Sequence, residues 1–230
     1  MAIDLEKYLT EQYKKTIDKG QTPGPVITIS RQYGCAAKDL AQKLVAKLNE
    51  VIKEKKGAKE WTWINKEVFE NTAKALNLKE SRILHVFEGE KKGLVESIIL
   101  SSSEKYYASD TKIKKKIIEI VRSFAEQGQM IIIGLGSVAI TRDIKKSFHI
   151  RLHAPFEWRV EQAAKKRSRT IEEMKKYAAS IDQKRDKLRD SFVSKGAPEE
   201  LFDITFNMMT MSHDEIIDTI VSLMKKRKLI

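Results

Sequence analysis

Residues 25–39 read Pro-Val-Ile-Thr-Ile-Ser-Arg-Gln-Tyr-Gly-Cys-Ala-Ala-Lys-Asp. The β-branched run in this stretch, Val26–Ile29, is typical of a buried strand, whereas residues 38–53 repeat apolar side chains at helical spacing. The predicted order is therefore strand, loop, helix. A loop of small residues in this position directs backbone N–H groups and the positive end of the helix toward one point, where a phosphate group can bind.

This loop supplies the candidate residues for binding ATP or its phosphates. They are Ser30, Arg31, Gly34, Cys35, Ala36, Ala37, Lys38 and Asp39. Compared with the G-x-x-x-x-G-K-[ST] template, Gln32 and Ala37 replace the two glycines, and Asp39 replaces the hydroxyl residue that holds magnesium. The loop by itself leaves an alternative open, which is a plain strand-to-helix turn with a solvated lysine.

Two later stretches continue the strand pattern. Residues 130–133 are apolar and run into two glycines, and residues 148–152 precede a helix that begins near Pro155. Residues 65–127 are rich in helical patterns and too long for a simple crossover, which predicts a subdomain inserted into the connections of a parallel sheet. We therefore expect one α/β domain over residues 1–230.

Residues 1–24 are predicted to form a helix followed by a linker. The apolar side chains that recur every four residues are Leu5, Leu9, Tyr13 and Ile17. Because an apolar stripe is unfavourable in water, we expect it to pack on the core or on a second copy of the chain. A homodimer is one of these two alternatives.

A basic region covers residues 151–189. Thr170 and Glu173 are spaced as a capping box, which predicts the start of a helix. On that helix Asp182, Arg185 and Arg189 share one face, and an arginine fork can bind phosphate with two hydrogen bonds. This face of the helix could bind a nucleotide, or it could be an ordinary ion-paired helix surface.

Composition limits the class of protein. The 230 residues carry a formal net charge of +12, spread along the chain, which fits either a solvated surface or polyanionic ligands such as nucleotides. No apolar run approaches the roughly 18 residues that span a bilayer. With a single cysteine, Cys35, and no clustered metal ligands, we expect a cytoplasmic protein without a membrane segment or a protein-held metal centre.

The combined order of these motifs resembles the cytidylate kinase-like family of P-loop nucleotide kinases. The resemblance rests on residues 25–34, on residues 131–134, on residues 149–159, on the Ile181-Asp182-x-x-Arg185 motif and on residues 202–207. It implies a three-layer P-loop kinase fold with a five-stranded parallel sheet. It also implies that residues 65–127 are an inserted monophosphate-binding subdomain and that residues 156–180 are a basic lid.

The resemblance further implies ATP-dependent, magnesium-dependent phosphorylation of a nucleoside monophosphate, CMP or dCMP first. Lys38, Arg167 and Arg169 would be the catalytic residues, with Lys38 bridging the donor phosphates. Asp182, Arg185 and Arg159 would bind the acceptor, through the ribose hydroxyls and the phosphate. Small-molecule nucleotides would be the partners.

Departures from the family pattern keep other functions open. Leu135 stands where relatives carry an arginine near the acceptor phosphate, and Asn65 stands where they tend to carry an aspartate. These changes, with Asp39, motivate an alternative: a catalytically inactive nucleotide-binding or regulatory protein on the same fold. Nucleic-acid binding ranks below both, because no aromatic and basic recognition motif accompanies the charge.

Overall fold

The structure is a computed structural model that describes residues 24–55, 57–65, 115, 117–193 and 201–230. The described strands form one sheet, in the order β2-β3-β1-β4-β5, and every neighbouring pair is parallel. The strands are β1 (Val26–Arg31), β2 (Thr62–Ile64), β3 (Met130–Ile133), β4 (Ser147–His153) and β5 (Ile204–Asn207). The predicted five-stranded parallel sheet is confirmed.

Helices cover both faces of this sheet. They are α1 (Ala37–Ile52), α2 (Ser137–Ile140), α3 (Phe156–Arg167), α4 (Ile171–Asp190) and α5 (His213–Lys226), and residues 117–126 are also helical. Alternating strand residues divide the core: Ile27 and Ile29 of β1 pack in one cluster with α1 and α5, whereas Val26 packs in another with the helical segment 117–126. The α/β layering expected from the sequence is therefore present.

β1 is the central strand and sets the position of the site. It pairs with β3 through Ile29 and Ile133, and with β4 as far as Arg31 and Leu152. Because all the strands are parallel, their carboxyl ends meet at one edge of the sheet, where ligands of open α/β sheets bind. β1 continues two residues beyond the predicted strand, so Ser30 and Arg31 belong to β1 and not to the loop. The reason is their register with β4, which the sequence of β1 alone does not reveal.

The helix signals are confirmed where the structure describes them. Thr170 and Glu173 form the predicted capping box at the start of α4, and Ser212 and Glu215 form a second one at the start of α5. The predicted N-terminal helix and linker, residues 1–24, lie outside the described residues except for Gly24. Most of the predicted inserted subdomain, residues 65–127, lies outside them as well. Within the described part of the chain, no helix is both long and apolar enough to cross a membrane.

Candidate active site

The loop between β1 and α1 packs tightly against α3. Gly34 has φ +91°, and a β-carbon there would lie 2.6 Å from the backbone oxygen of Arg159. A side chain at this position would therefore be strained and would collide with backbone. Within the loop, the Cys35 N–H donates to the Gln32 carbonyl oxygen at 3.3 Å, and the Gln32 N–H donates to the Leu152 carbonyl oxygen at 3.1 Å.

The start of α1 offers backbone donors to a ligand. Ala36 is the N-cap residue and provides no side-chain cap, and the Leu40 N–H makes the first α-helical hydrogen bond, to the Ala36 carbonyl oxygen at 3.1 Å. The N–H groups of Lys38 and Asp39 lie in the first turn, where no intrahelical acceptor precedes them. With the positive end of the helix dipole, these donors favour an anion in front of the loop.

The two charged residues at this helix start have partners in the structure. The exposed Lys38 Nζ lies 5.8 Å from the centre of the Trp63 ring, in the middle of β2. The Asp39 carboxylate lies 3.3 Å from the Lys166 Nζ of α3, and both side chains are largely solvent-exposed. Lys38 is therefore available to a phosphate after a change of side-chain conformation, and Asp39 connects the helix start to α3.

Arg159 and Asp182, both predicted to bind the acceptor, are brought together around Tyr33. Asp182 Oδ2 accepts from Arg159 Nη1 at 2.7 Å, and its Oδ1 accepts from the Tyr33 N–H at 2.5 Å. Arg159 Nη1 also donates to the Tyr33 carbonyl oxygen at 2.8 Å, and its Nε donates to the Ala154 carbonyl oxygen at 2.9 Å. The N–H of Tyr33 is thus bound by α4, and its carbonyl oxygen is bound by α3.

Arg167 lies beside the loop. Its guanidinium carbon is 5.6 Å from the centre of the Tyr33 ring and 5.5 Å from that of Tyr177, and the two rings meet edge to face at 5.3 Å. Burial raises the pKa of Tyr33, so the phenol stays neutral at physiological pH. Arg169 follows the end of α3 and is exposed. The α3–α4 hairpin, residues 156–190, therefore carries both predicted catalytic arginines, and Arg167 contacts the loop.

A pocket lies at the carboxyl ends of β1 and β3, against α4. We call it the arginine pocket, because four of its lining residues are arginines. Its lining residues are Ser30, Arg31, Gln32, Gly134, Leu135, Gly136, Arg151, Asp182, Arg185, Asp186, Leu188 and Arg189. Of the predicted site residues, Ser30, Arg31, Asp182 and Arg185 line the pocket, and residues 34–39 form the loop and the start of α1. The other three, Arg159, Arg167 and Arg169, belong to the α3–α4 hairpin and do not line the pocket.

Arg31 and Arg185 are neighbours inside this pocket. Arg185 Nη1 donates to the Arg31 backbone oxygen at 3.3 Å. Burial, reinforced by the positive charge of Arg185, lowers the pKa of Arg31 to about 9, and burial also lowers the pKa of Arg185. Both groups remain cationic at neutral pH, so the pocket favours an anionic ligand.

Several lining residues of this pocket were not among the predicted site residues, and Arg151 is the charged one that the sequence could have indicated. Arg151 lies in β4 beside Ser30 of β1. An arginine in the strand pattern of residues 148–152, where Phe148, Ile150 and Leu152 are apolar, is a signal that could have identified it. Leu135, in contrast, is 5% exposed and packs with Leu188 and Phe192, so the turn after β3 presents an apolar side chain at the pocket.

Cys35 is enclosed by the loop. It is 6% exposed, and burial raises the pKa of its thiol to about 11. Within the described residues, no group of three or more His, Cys, Asp or Glu side chains could hold a metal ion. Asp39 is the acidic residue in the first turn of α1. A magnesium ion arriving with a nucleotide would therefore depend chiefly on phosphate and water oxygens, as magnesium commonly does.

Comparisons with known proteins agree with this architecture. A structure of an uncharacterized protein from Eubacterium ventriosum ATCC 27560 has a TM-score of 0.55 and 14% identity, covering 87% of this chain and 98% of that chain, which shows a shared fold. Shikimate kinase from Bacteroides thetaiotaomicron gives a TM-score of 0.44 and 10% identity, over 87% of this chain and 98% of that one. No curated protein matches the sequence.

The family assignment comes from a sequence match. Residues 26–210 match the model of the Cytidylate kinase-like family. The matched range includes the whole sheet, the loop, the start of α1 and the α3–α4 hairpin. This match supports a function of the nucleotide kinase type. Since it covers most of the sequence, the chain belongs to the cytidylate kinase-like family.

Proposed function

We propose that the protein transfers the γ-phosphoryl group of ATP to a nucleoside monophosphate, with CMP or dCMP as the first acceptors to test. The observation that carries this proposal is the pairing of two anion-binding features at one edge of the sheet. The start of α1 offers uncapped N–H groups and Lys38, and the arginine pocket lies next to it at the carboxyl end of β1. Two such features match a reaction between two phosphate-bearing substrates.

In this proposal the ATP phosphates bind in front of the loop. Backbone N–H groups of the first turn of α1 hold the phosphate oxygens, and Lys38 leaves the Trp63 ring to neutralise them. Arg167 and Arg169 approach from the α3–α4 hairpin and stabilise the negative charge of the transferring group. Positioning and charge neutralisation supply the catalysis, so no side chain has to act as a strong base.

The acceptor occupies the arginine pocket. Arg185 binds its phosphate, and Asp182 accepts a hydrogen bond from a ribose hydroxyl. A carboxylate has about four lone-pair positions, and Asp182 uses two of them for Arg159 and Tyr33, so capacity remains for a hydroxyl. Arg159 is 4% exposed, and we assign it the role of orienting Asp182. Magnesium would supply charge neutralisation on the donor phosphates when bound, with Asp39 as the nearby carboxylate of the helix start.

The test is ADP release, measured with ATP, magnesium and a panel of nucleoside monophosphates. We expect turnover with at least one pyrimidine monophosphate. The same assay without an acceptor measures background ATP hydrolysis and serves as the control. If no acceptor increases ADP release above that background while calorimetry still detects ATP binding, the phosphotransferase proposal is wrong.

A second candidate is a nucleotide-binding protein without catalysis. Two observations favour it: Asp39, in place of a hydroxyl residue, is paired with Lys166, and Leu135 places an apolar side chain at the pocket. Calorimetry would then detect saturable ATP binding, and the ADP assay would detect no acceptor-dependent turnover. The same pair of measurements therefore separates the two candidates.

A further inference from the structure

We propose that Arg31, at the end of β1, binds the phosphate of a phosphate monoester dianion in the arginine pocket, side by side with Arg185. The inference deepens the proposed function, because the acceptor monophosphate is such a dianion. It moves Arg31 from the donor phosphates, where the sequence placed it, to the acceptor.

The first argument is the position of the guanidinium. Arg31 lies in the strand and lines the arginine pocket, whereas the start of α1 contributes none of the pocket's lining residues. Its Nη1 occupies the space that a β-carbon at Gly134 would need. Gly134, with φ +75°, thus lets the Arg31 side chain lie against the turn after β3. The fold therefore positions the Arg31 guanidinium at the pocket, and the group is not a mobile surface group.

The second argument concerns the carboxylates near Arg31: the charge of Asp182 acts on Arg31, but the two do not form an ion pair. Among the ion pairs between described residues, none includes Arg31, whereas Asp182 is held by Arg159 at 2.7 Å. The other carboxylate of the pocket, Asp186, pairs with Arg189 at 2.9 Å. Within the described part of the chain, both pocket carboxylates are thus engaged by other arginines.

The third argument is the charge of the pocket as a whole. Four arginines and two aspartates line it, and burying a cation without a partner is unfavourable. A bound dianion removes this cost, and its oxygens match the paired N–H donors of a guanidinium. A phosphate monoester carries up to two negative charges at neutral pH, so it brings opposite charge to a lining that is rich in arginine.

The experiment uses inorganic phosphate as the probe, titrated by calorimetry at constant ionic strength. We expect Arg31→Gln to weaken phosphate binding roughly tenfold or more, because a charge-assisted contact is lost. Arg142→Gln removes the same charge from an exposed residue outside the pocket lining, and it should bind phosphate like the parent protein. Unchanged phosphate binding by Arg31→Gln would overturn the inference.

Thermal melting without phosphate separates a binding role from a structural one. If Arg31 is an uncompensated cation, Arg31→Gln melts at the same or a higher temperature than the parent protein. A lower melting temperature would instead show that Arg31 stabilises the fold, and the inference would fall. A third measurement, on the unaltered protein, complements the titration and the melting experiment. Phosphate should slow the modification of Arg31 by phenylglyoxal, and mass spectrometry measures the extent of modification.

The outcomes also separate this inference from the proposed function. If Arg31→Gln abolishes phosphate binding but the parent protein phosphorylates no monophosphate, the phosphate site stands and the enzyme proposal falls. If the parent protein is active and Arg31→Gln leaves the KM for the monophosphate unchanged, the enzyme proposal stands and the role of Arg31 falls.

Discussion

Asp182 of α4 and Arg159 of α3 form an ion pair inside the protein, with 2.7 Å between Oδ2 and Nη1. The Arg159 side chain is 4% exposed and that of Asp182 is 19% exposed. Asp182 also accepts from the Tyr33 N–H, and Arg159 also donates to the Tyr33 carbonyl oxygen. The pair therefore joins both helices of the hairpin to the loop. Its loss therefore affects both the stability and the shape of the site.

Asp182→Asn should lower the free energy of unfolding by about 3 kcal/mol, because it leaves the buried Arg159 without a counter-charge. Urea denaturation measures this change. Asp186→Asn is the matched control on the same helix: the Asp186 side chain is 57% exposed, so its loss should cost roughly 0.5 kcal/mol or less. Equal effects of the two substitutions would contradict the structural role of the pair.

Lys38→Ala should weaken ATP binding roughly tenfold or more while the protein stays folded. Lys38 is exposed, and its contact with Trp63 contributes little to stability. Calorimetry with ATP measures the affinity, and Lys43→Ala, another exposed lysine of α1, is the control. A folded Lys38→Ala protein with unchanged ATP affinity would show that the loop is an ordinary strand-to-helix turn with a solvated lysine.

Leu135→Arg should destabilise the protein by about 3 kcal/mol and should not improve monophosphate binding. The side chain is 5% exposed among Leu188 and Phe192, so a charge there would be buried beside other arginines. Leu135→Met keeps the volume and should cost less than about 1.5 kcal/mol. Tighter binding of CMP by Leu135→Arg would show instead that residue 135 turns toward the acceptor.

Cys35 should react slowly with iodoacetamide in the folded protein. Burial raises the pKa of this thiol to about 11, so at pH 8 only about one molecule in a thousand carries a thiolate. Since Cys35 is the single cysteine, the rate is read directly from the mass of the whole protein. We expect alkylation about a hundredfold or more slower than in urea, with the rate rising as the pH approaches 11. Equal rates in the folded and unfolded protein would contradict this burial.

The local parts of the fold were predictable because their signals lie within a few residues. The apolar run of β1, the helical spacing of α1 and the capping box of Thr170 each depend on neighbours in sequence. The family resemblance added the order of these elements. The match over residues 26–210 confirms the family.

The contacts inside the site were not predictable in this way. Arg31 meets Arg185 across 154 positions of sequence, and Tyr33 meets Asp182 across 149. Register decides the first contact, because pairing with β4 extends β1 through Ser30 and Arg31 and so places Arg31 at the pocket. Asp182 and Arg159, both predicted to bind the acceptor, lie in contact, but their mutual ion pair depends on how α3 packs against α4.

The two hydrogen bonds to the Tyr33 backbone have a thermodynamic consequence for the two substrates. The N–H of Tyr33 is bound from α4 and its carbonyl oxygen from α3, so a movement of the α3–α4 hairpin must also displace the loop in front of α1. A ligand that shifts the hairpin therefore changes the affinity of the loop for its own ligand. By reciprocity of binding free energies, the second ligand alters the dissociation constant of the first by the same factor. Donor and acceptor titrations on this protein should accordingly be interdependent, with a single coupling constant obtained from either order of addition.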